Sequence, residues 1–93
     1  MKLPQNYNRL TWQERRAVRL EYIARQGGKC QHCNGDLSAP PPASITNKRI
    51  NRRLFPETFF AHPVHLHHDH GTGLTIGAVH NYCNAVLWQY YGE

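Results

Sequence analysis

Two pairs of metal-ligating residues constrain the fold of this 93-residue chain more than any other feature. Two residues separate Cys30 from Cys33, two separate His80 from Cys83, and 46 residues lie between the pairs. Two such pairs on short turns can supply the four sulfur and nitrogen ligands of a tetrahedral zinc ion. A zinc ion closed in by four protein ligands is structural, and its binding energy becomes folding energy, which a chain this short needs. The alternative is that the cysteines are free or buried thiols and that His80 is unrelated to them.

The charge of the chain favours an anionic partner. Eleven Lys and Arg against six Asp and Glu give a net charge of +5, so DNA is the first candidate. Residues 71–92 carry no charged side chain, but polar residues and glycines interrupt them, so we expect no membrane span. The N-terminal residues lack the apolar core of a secretory signal, and an odd number of cysteines argues against a disulfide framework. We therefore expect a cytoplasmic protein, either a monomer or a homodimer.

Residues 1–29 predict a basic helix. Thr11 and Glu14 have the spacing of a capping box, and Gly27 and Gly28 should end the helix near Arg25. One side of this helix carries Gln13, Ala17, Leu20 and Ala24. The other side mostly carries Arg15, Arg16 and Arg19. These arginines form either a solvated helix face or a stripe that contacts DNA phosphates.

The segment between the two ligand pairs is polar and rich in basic residues. Residues 30–37 predict a zinc knuckle, and residues 38–60 predict a loop insertion, because the prolines at 40–42 exclude regular structure there. The basic side chains of the insertion are Lys48, Arg49, Arg52 and Arg53. They belong either to a disordered surface loop or to a DNA contact. We expect Phe55, Phe59 and Phe60 to return the chain to the core.

Residues 61–93 predict two strands and a helix. Residues 64–68 are expected to form the first strand, 69–73 a glycine-bearing loop, 74–77 the second strand and 81–91 the helix. Five of the seven histidines lie in the nine residues from His62 to His70, which is unusual in a chain this short. The expected fold is a single α+β domain spanning residues 1–93.

The segment HLHHDHGTGLTIGAVHNYCNAVLW, together with Cys30 and Cys33, resembles the HNH endonucleases, and within them the branch of phage recombination endonuclease VII. That branch carries an Asp-His-Asp-His run, a Thr-Gly turn, a strand and a final Cys-Asn junction. The resemblance covers about the last third of the chain. It implies a ββα-metal (His-Me finger) unit, here joined to a zinc-knuckle clip and the N-terminal basic helix.

The resemblance also implies roles for individual residues. His68 matches the general base, while His67 and Asn84 match the ligands of a catalytic divalent ion, with His67 standing where many relatives have Asp. Asp69 and His70 match the residues that follow the base. The structural zinc ligands match Cys30, Cys33, His80 and Cys83, with His80 in place of the more usual Cys.

Two positions depart from the pattern of the family. The middle Asn of the HNH motif has no counterpart in residues 71–79, and Ile76 stands where relatives often carry Arg. The remaining residue types still suit phosphodiester hydrolysis, which needs a water nucleophile, a base and positive charge near the developing oxyanion. A histidine with a pKa near neutrality can be that base, and an imidazole ligand suits Mn²⁺ or Ni²⁺ at least as well as Mg²⁺.

We therefore expect a metal-dependent endonuclease that cuts one DNA strand per active site. A monomer would nick DNA and a dimer could cut both strands, in the host cytoplasm if a phage encodes the chain. A variant of this hypothesis is a nuclease that resolves branched DNA. The alternative is a non-catalytic, zinc-stabilised DNA-binding module, in which the histidine cluster is an adventitious metal site or an ordinary zinc-binding loop.

Overall fold

The computed structural model describes residues 1–92, and these form three α-helices and one two-stranded sheet. Helix α1 spans Trp12–Arg25, α2 spans Ala43–Thr46 and α3 spans Asn81–Tyr91. Strands β1 (Val64–His68) and β2 (Thr75–His80) pair antiparallel. Single turns of 3-10 helix occur at Tyr7–Arg9, Arg52–Leu54 and Phe59–Ala61. The α+β class predicted from the sequence is confirmed.

Helix α1 begins at the predicted capping box. The Thr11 hydroxyl accepts a hydrogen bond from the Glu14 N–H at 3.2 Å, and the Glu14 carboxylate accepts one from the Thr11 N–H at 2.9 Å. The hydrogen bond from the Thr11 N–H, and after it the interaction with the Thr11 hydroxyl, lower the pKa of Glu14. The helix ends at Arg25, followed by Gly27 and Gly28 with φ of +64° and +76°, a conformation that glycine adopts without strain.

The packed side of α1 differs from the sequence prediction. Val18 is the one buried residue of the helix, whereas Leu20 is 52% exposed. Arg15 and Tyr22 lie about one turn before and after Val18, so they share its side. The Arg15 guanidinium donates a hydrogen bond to the Tyr7 carbonyl at 3.1 Å, which shows that this arginine turns inward. An arginine can pack its aliphatic stem on the protein while its charged end reaches a polar partner. A hydrophobicity pattern counts arginine only as a polar residue, so it does not predict this packing.

Strands β1 and β2 form a hairpin around residues 69–74. Their pairing runs from Val64 opposite His80 to His68 opposite Thr75, with an irregularity between His67 and His68. Neighbouring residues of a regular strand point to opposite faces, but such an irregularity bends the strand and re-aims its side chains. The irregularity thus lies between two histidines that would point to opposite faces of a regular strand.

Strand β2 extends to His80, three residues beyond its predicted end at Gly77. The side chain of Gln26 hydrogen-bonds both the N–H and the carbonyl of Ala78 at 2.9 Å, as a neighbouring strand would. Gly77 leaves room for this contact, because a Cβ there would lie 2.8 Å from Gln31 Cγ and 2.9 Å from Gln26 Oε1. The end of α1 and the knuckle after it are thus held against the hairpin.

Residues 38–60, predicted to be an insertion, pack against α3. The Gln89 side chain accepts from the Asn51 N–H at 2.8 Å and donates to the Arg49 carbonyl at 2.9 Å. Ile45 of α2 is buried in a core that also contains Val79 and Val86. The segment is therefore ordered and is not a detached loop. In residues 1–92, no helix is both long and apolar enough to span a membrane.

Candidate functional site: a Cys3His cluster beside a basic cleft

Four metal-ligating atoms meet where β2 passes into α3. They belong to Cys30, Cys33, His80 and Cys83, and they all lie within 4.8 Å of one another. Three of these residues are buried, Cys33 is partly exposed, and the three cysteines are free thiols rather than disulfides. The structure thus brings together the four ligands that the sequence spacing predicts.

A tight turn holds the first pair of ligands. The Cys30 N–H donates to the Gly35 carbonyl at 2.7 Å, and the Asn34 N–H donates to the Cys30 carbonyl at 2.9 Å. Asn34 has φ of +62°, a left-handed conformation that Asn tolerates better than most residues. The Gly35 N–H lies 3.4 Å from Cys33 Sγ and donates a hydrogen bond to it.

Backbone carbonyl groups orient the imidazole of His80. Its Nε2 lies 2.9 Å from the carbonyl oxygens of both Asp36 and Ala39, so Nε2 carries the hydrogen. Nδ1 then has a lone pair, and it faces the sulfurs of Cys33 and Cys83 at 3.4 and 3.7 Å. This is the tautomer and orientation that a metal-ligating histidine requires. Although His80 is the N-cap of α3, its side chain makes no capping hydrogen bond.

The thiols of the cluster also affect one another. The hydrogen bond between Cys83 and Cys30 lowers the pKa of Cys30 and raises that of Cys83, so one sulfur ionises at the expense of the other. A second thiolate this close would be repelled unless a cation stood among the ligand atoms. Three sulfurs and one imidazole nitrogen form a donor set that fits a zinc ion.

A second feature is an open cleft of 840 Å³ beside the cluster. It is lined by α1, β1, α3 and the segments that precede α1 and β1, with five histidines, three arginines and five aromatic residues. Of the described residues that line it, none is Asp or Glu. The predicted site residues found there are Arg15, Arg16, Arg19, His67, His68, His70 and Asn84.

The other predicted site residues do not line this cleft. Asp69 accepts hydrogen bonds from the N–H groups of Thr72 and Gly71 at 2.9 and 2.7 Å, which lower its pKa. Its carboxylate therefore stabilises the hairpin turn directly after His68. The predicted basic residues outside the cleft are Lys48, Arg49, Arg52 and Arg53.

His68 lies within a row of ring contacts, which we call the stacking row, and within it the pair of His68 and Tyr7 is stacked in parallel. The Tyr7 ring lies parallel to the His68 imidazole, with 3.8 Å between centroids and 6° between planes. The Arg15 guanidinium lies 3.8 Å from the same Tyr7 ring. The His70 ring lies 4.7 Å from that of His68 and the Trp88 ring lies 4.8 Å from that of His70, and these two pairs are tilted by 50° and 52°. The row fixes the plane of the His68 ring and leaves that ring partly exposed in the cleft.

Burial lowers the pKa of His68 from its ordinary value. The nearby charges of His70, His67 and Arg15 lower this pKa further, and a hydrogen bond with the Leu66 backbone works in the opposite direction. These three neighbouring charges are positive, so the cationic imidazole is disfavoured. His68 is therefore uncharged near neutral pH and can accept a proton.

Asn84 is oriented by His65, a residue that the sequence reasoning did not single out. His65 Nε2 lies 2.8 Å from the Phe59 carbonyl, so this nitrogen donates and Nδ1 accepts. Asn84 Nδ2 lies 3.1 Å from His65 Nδ1 and therefore donates to it, which fixes the orientation of the amide. Burial lowers the pKa of His65 and keeps the ring in the neutral form that this arrangement needs.

His67 reaches the cleft from a more buried position. It is 2% exposed and lines both the cleft and a smaller cavity of 300 Å³ beside Leu87 and Tyr91. The alternation of side chains along a strand places His65 on the same side as His67, and this signal could have identified His65. Tyr7 carried no such signal, since it is 61 residues from the histidine on which it stacks.

No protein-family model, curated protein or solved structure matches this chain. The chemistry of the cleft is therefore inferred from its own residues and from the sequence resemblance.

Proposed function

We propose that the protein is a metal-dependent endonuclease of the HNH type that hydrolyses DNA phosphodiester bonds, one strand per active site. The observation that carries this proposal is the cleft shared by His68, His67 and Asn84, whose lining also includes three arginines. A neutral imidazole can act as the base in hydrolysis of a phosphodiester, and cationic groups beside it can stabilise the charge that develops on the phosphate.

The Cys3His cluster is proposed to hold a structural zinc ion in the same protein. Its four ligands leave no position for a substrate, so the ion would contribute stability rather than chemistry. Cys83 directly precedes Asn84, and both lie in the first turns of α3. A zinc ion in the cluster would therefore also position one of the proposed ligands in the cleft.

In the proposed reaction, His68 takes a proton from a water molecule as its oxygen attacks the phosphorus. The bond from phosphorus to the 3′ oxygen breaks, and that oxygen takes a proton from solvent, leaving 5′-phosphate and 3′-hydroxyl ends. Tyr7 and His70 hold the plane of the His68 ring. The arginines of the cleft would bind the flanking phosphates.

His67 and Asn84 are the proposed ligands of a catalytic divalent ion. The amide nitrogen of Asn84 donates to His65, so the carbonyl oxygen occupies the other branch of the amide. An imidazole nitrogen and an amide oxygen suit Mn²⁺, Ni²⁺ or Mg²⁺ and leave positions for water and phosphate oxygens. Such an ion supplies positive charge that stabilises the charge developing on the phosphate and the leaving oxygen.

A second candidate is the non-catalytic, zinc-stabilised DNA-binding module. The absence of Asp and Glu from the described lining of the cleft favours it, because a cation held there would have no anionic ligand from those residues. Arginines alone can bind phosphates without an ion. This candidate needs the basic cleft but gives no role to the neutral form of His68.

Incubation of supercoiled plasmid with the zinc-loaded protein and Mn²⁺ separates the two candidates. We expect nicked or linear DNA from the wild-type protein. His68→Ala should reduce the cleavage rate by about 100-fold or more, the usual contribution of a general base, while DNA affinity is retained.

The matched control is His32→Ala. His32 is exposed in the knuckle and lies outside the cleft, so this variant should cleave like the wild-type protein. Unchanged supercoiled plasmid with the wild-type protein would contradict the nuclease and support the binding module. Full activity of His68→Ala would remove the assignment of the base.

A further inference from the structure

The two tryptophans of the chain are both exposed, and both line the cleft. Trp12, at the start of α1, is 70% exposed, and Trp88, on α3, is 42% exposed. An indole ring is the largest apolar side chain, and leaving it in water forgoes the free energy of burial. Two such rings beside the same cleft indicate a ligand with flat, apolar faces.

The charges around these rings indicate that the ligand is also anionic. Arg16 is exposed and lies one helical turn after Trp12, so it stands on the same side of α1. Arg15 and Arg19 line the cleft as well, and the described lining residues include no carboxylate. A ligand that combines flat faces with a row of negative charges is a polynucleotide.

Stacking on an indole further restricts the form of the polynucleotide. In a continuous duplex, neighbouring base pairs cover both faces of each base, so no protein ring can stack on it. An unpaired base offers a free face, and aromatic side chains bind such faces with little regard for sequence. The stacking row ends in Trp88, whose ring lies 4.8 Å from that of His70 with 52° between the planes, and Trp88 is 42% exposed, so a base on the exposed part of the indole would add a further ring contact to this row.

We propose that the cleft binds an unpaired segment of DNA, with bases stacked on Trp12 and Trp88 and phosphates bound by the arginines. A fully paired duplex would engage the arginines but neither indole. This inference deepens the proposed function by naming its substrate class, and it rests on that function for the choice of DNA as the polyanion.

The test is binding measured without Mn²⁺ or Mg²⁺, so that the zinc-loaded protein cannot cleave the probe. The probes are a short oligothymidylate, which has no secondary structure, and a blunt-ended duplex of the same length. Because both tryptophans lie in the cleft, the intrinsic fluorescence reports on the cleft directly. We expect the oligothymidylate to quench this fluorescence and to bind at least about tenfold more tightly than the duplex.

Variants of the two indoles make the test specific. Trp12→Ala and Trp88→Ala should each weaken oligothymidylate binding by about tenfold while changing duplex binding little, and Trp12→Phe should recover most of the loss. Arg16→Ala should weaken binding of both probes and reduce the salt dependence. The matched control is Tyr91→Ala, because Tyr91 is an aromatic residue of α3 that is 60% exposed and does not line the cleft. This variant should bind both probes with the affinity of the wild-type protein.

Equal affinity for the two probes, or unchanged oligothymidylate affinity in both tryptophan variants, would overturn the inference. Circular dichroism of each variant checks that the fold is retained. Plasmid cleavage with Mn²⁺ is measured separately, so a protein that binds the oligothymidylate through its tryptophans but never cuts would remove the nuclease proposal alone. A protein that cuts but shows no preference for unpaired DNA would remove this inference alone.

Discussion

The Cys3His cluster and the cleft both gather residues from distant parts of the chain, but they orient them in different ways. In the cluster, backbone groups fix the ligands, as the carbonyls of Asp36 and Ala39 do for His80. In the cleft, side chains fix one another, as Tyr7 does for His68 and His65 does for Asn84. The two ligand pairs are therefore each specified by a short stretch of sequence, whereas the residues of the cleft depend for their orientation on side chains from distant segments.

This difference predicts an unequal dependence between the two regions. The cluster joins the knuckle to the junction of β2 and α3, which leads directly into Asn84. Damage to the cluster should therefore abolish the cleft, whereas damage to the cleft should leave the cluster and the fold intact.

Loss of the zinc ion should have the largest effect. Structural zinc contributes roughly 10–16 kcal/mol in small zinc domains, which is comparable to or larger than the ~5–15 kcal/mol of total stability of a typical protein. Chelation of the metal, or Cys30→Ser, should therefore unfold the chain, as measured by the helical signal in circular dichroism. His80→Cys keeps four ligands and should remain folded. Retained helical signal after verified metal removal would show that the cleft does not depend on the cluster.

Substitution of His65 should have a smaller effect that is confined to the cleft. His65→Ala removes the acceptor that orients the Asn84 amide, so Mn²⁺ affinity and cleavage should fall by about 10–100-fold with the fold retained. Titration of Mn²⁺ by electron paramagnetic resonance and the plasmid assay measure the two losses. If His65 acts through Asn84, the double variant with Asn84→Ala should lose no more than Asn84→Ala alone. Fully additive losses would show that His65 and Asn84 act independently.

The pH dependence of cleavage should show the smallest effect. His68 must be neutral to act as the base, and its pKa lies below the ordinary histidine value because of burial and then the charge of His70. The kcat/KM should therefore be constant above that ordinary value and should decline only as the pH falls through the lowered pKa. His70→Asn removes the second cause, so it should displace this decline toward higher pH by a fraction of a pH unit. The control His32→Asn should leave the position of the decline unchanged. An unchanged decline in His70→Asn would show that the charge of His70 does not affect the pKa of His68.

The parts of the molecule that the sequence predicts well are those controlled by neighbouring residues. The capping box of Thr11 and Glu14, the strand Val64–His68 and the helix Asn81–Tyr91 follow from spacing and turn residues, and the structure confirms them. Each ligand pair of the cluster belongs to the same group, because its two residues are three positions apart, whereas the meeting of the two pairs depends on the tertiary structure.

The parts that the sequence predicts poorly depend on contacts between distant segments. The inward turn of Arg15 depends on Tyr7, and the extension of β2 depends on the Gln26 side chain. The stacking of Tyr7 on His68 joins the N-terminal segment to the hairpin, and neither residue carries a local signal for it. The resemblance to a family identifies matching motif residues but not these supports, which explains why it pointed to Asn84 and passed over His65.

His80 has three structural roles at once, since it ends β2, occupies the N-cap position of α3 and belongs to the Cys3His cluster. If the cluster binds zinc, a molecule without the zinc ion would lose the end of β2, the start of α3 and the proposed reaction centre together. In a cell short of zinc, the number of competent molecules would decline while each surviving one worked at full speed. Zinc supply would then control the dose of the protein and not its turnover.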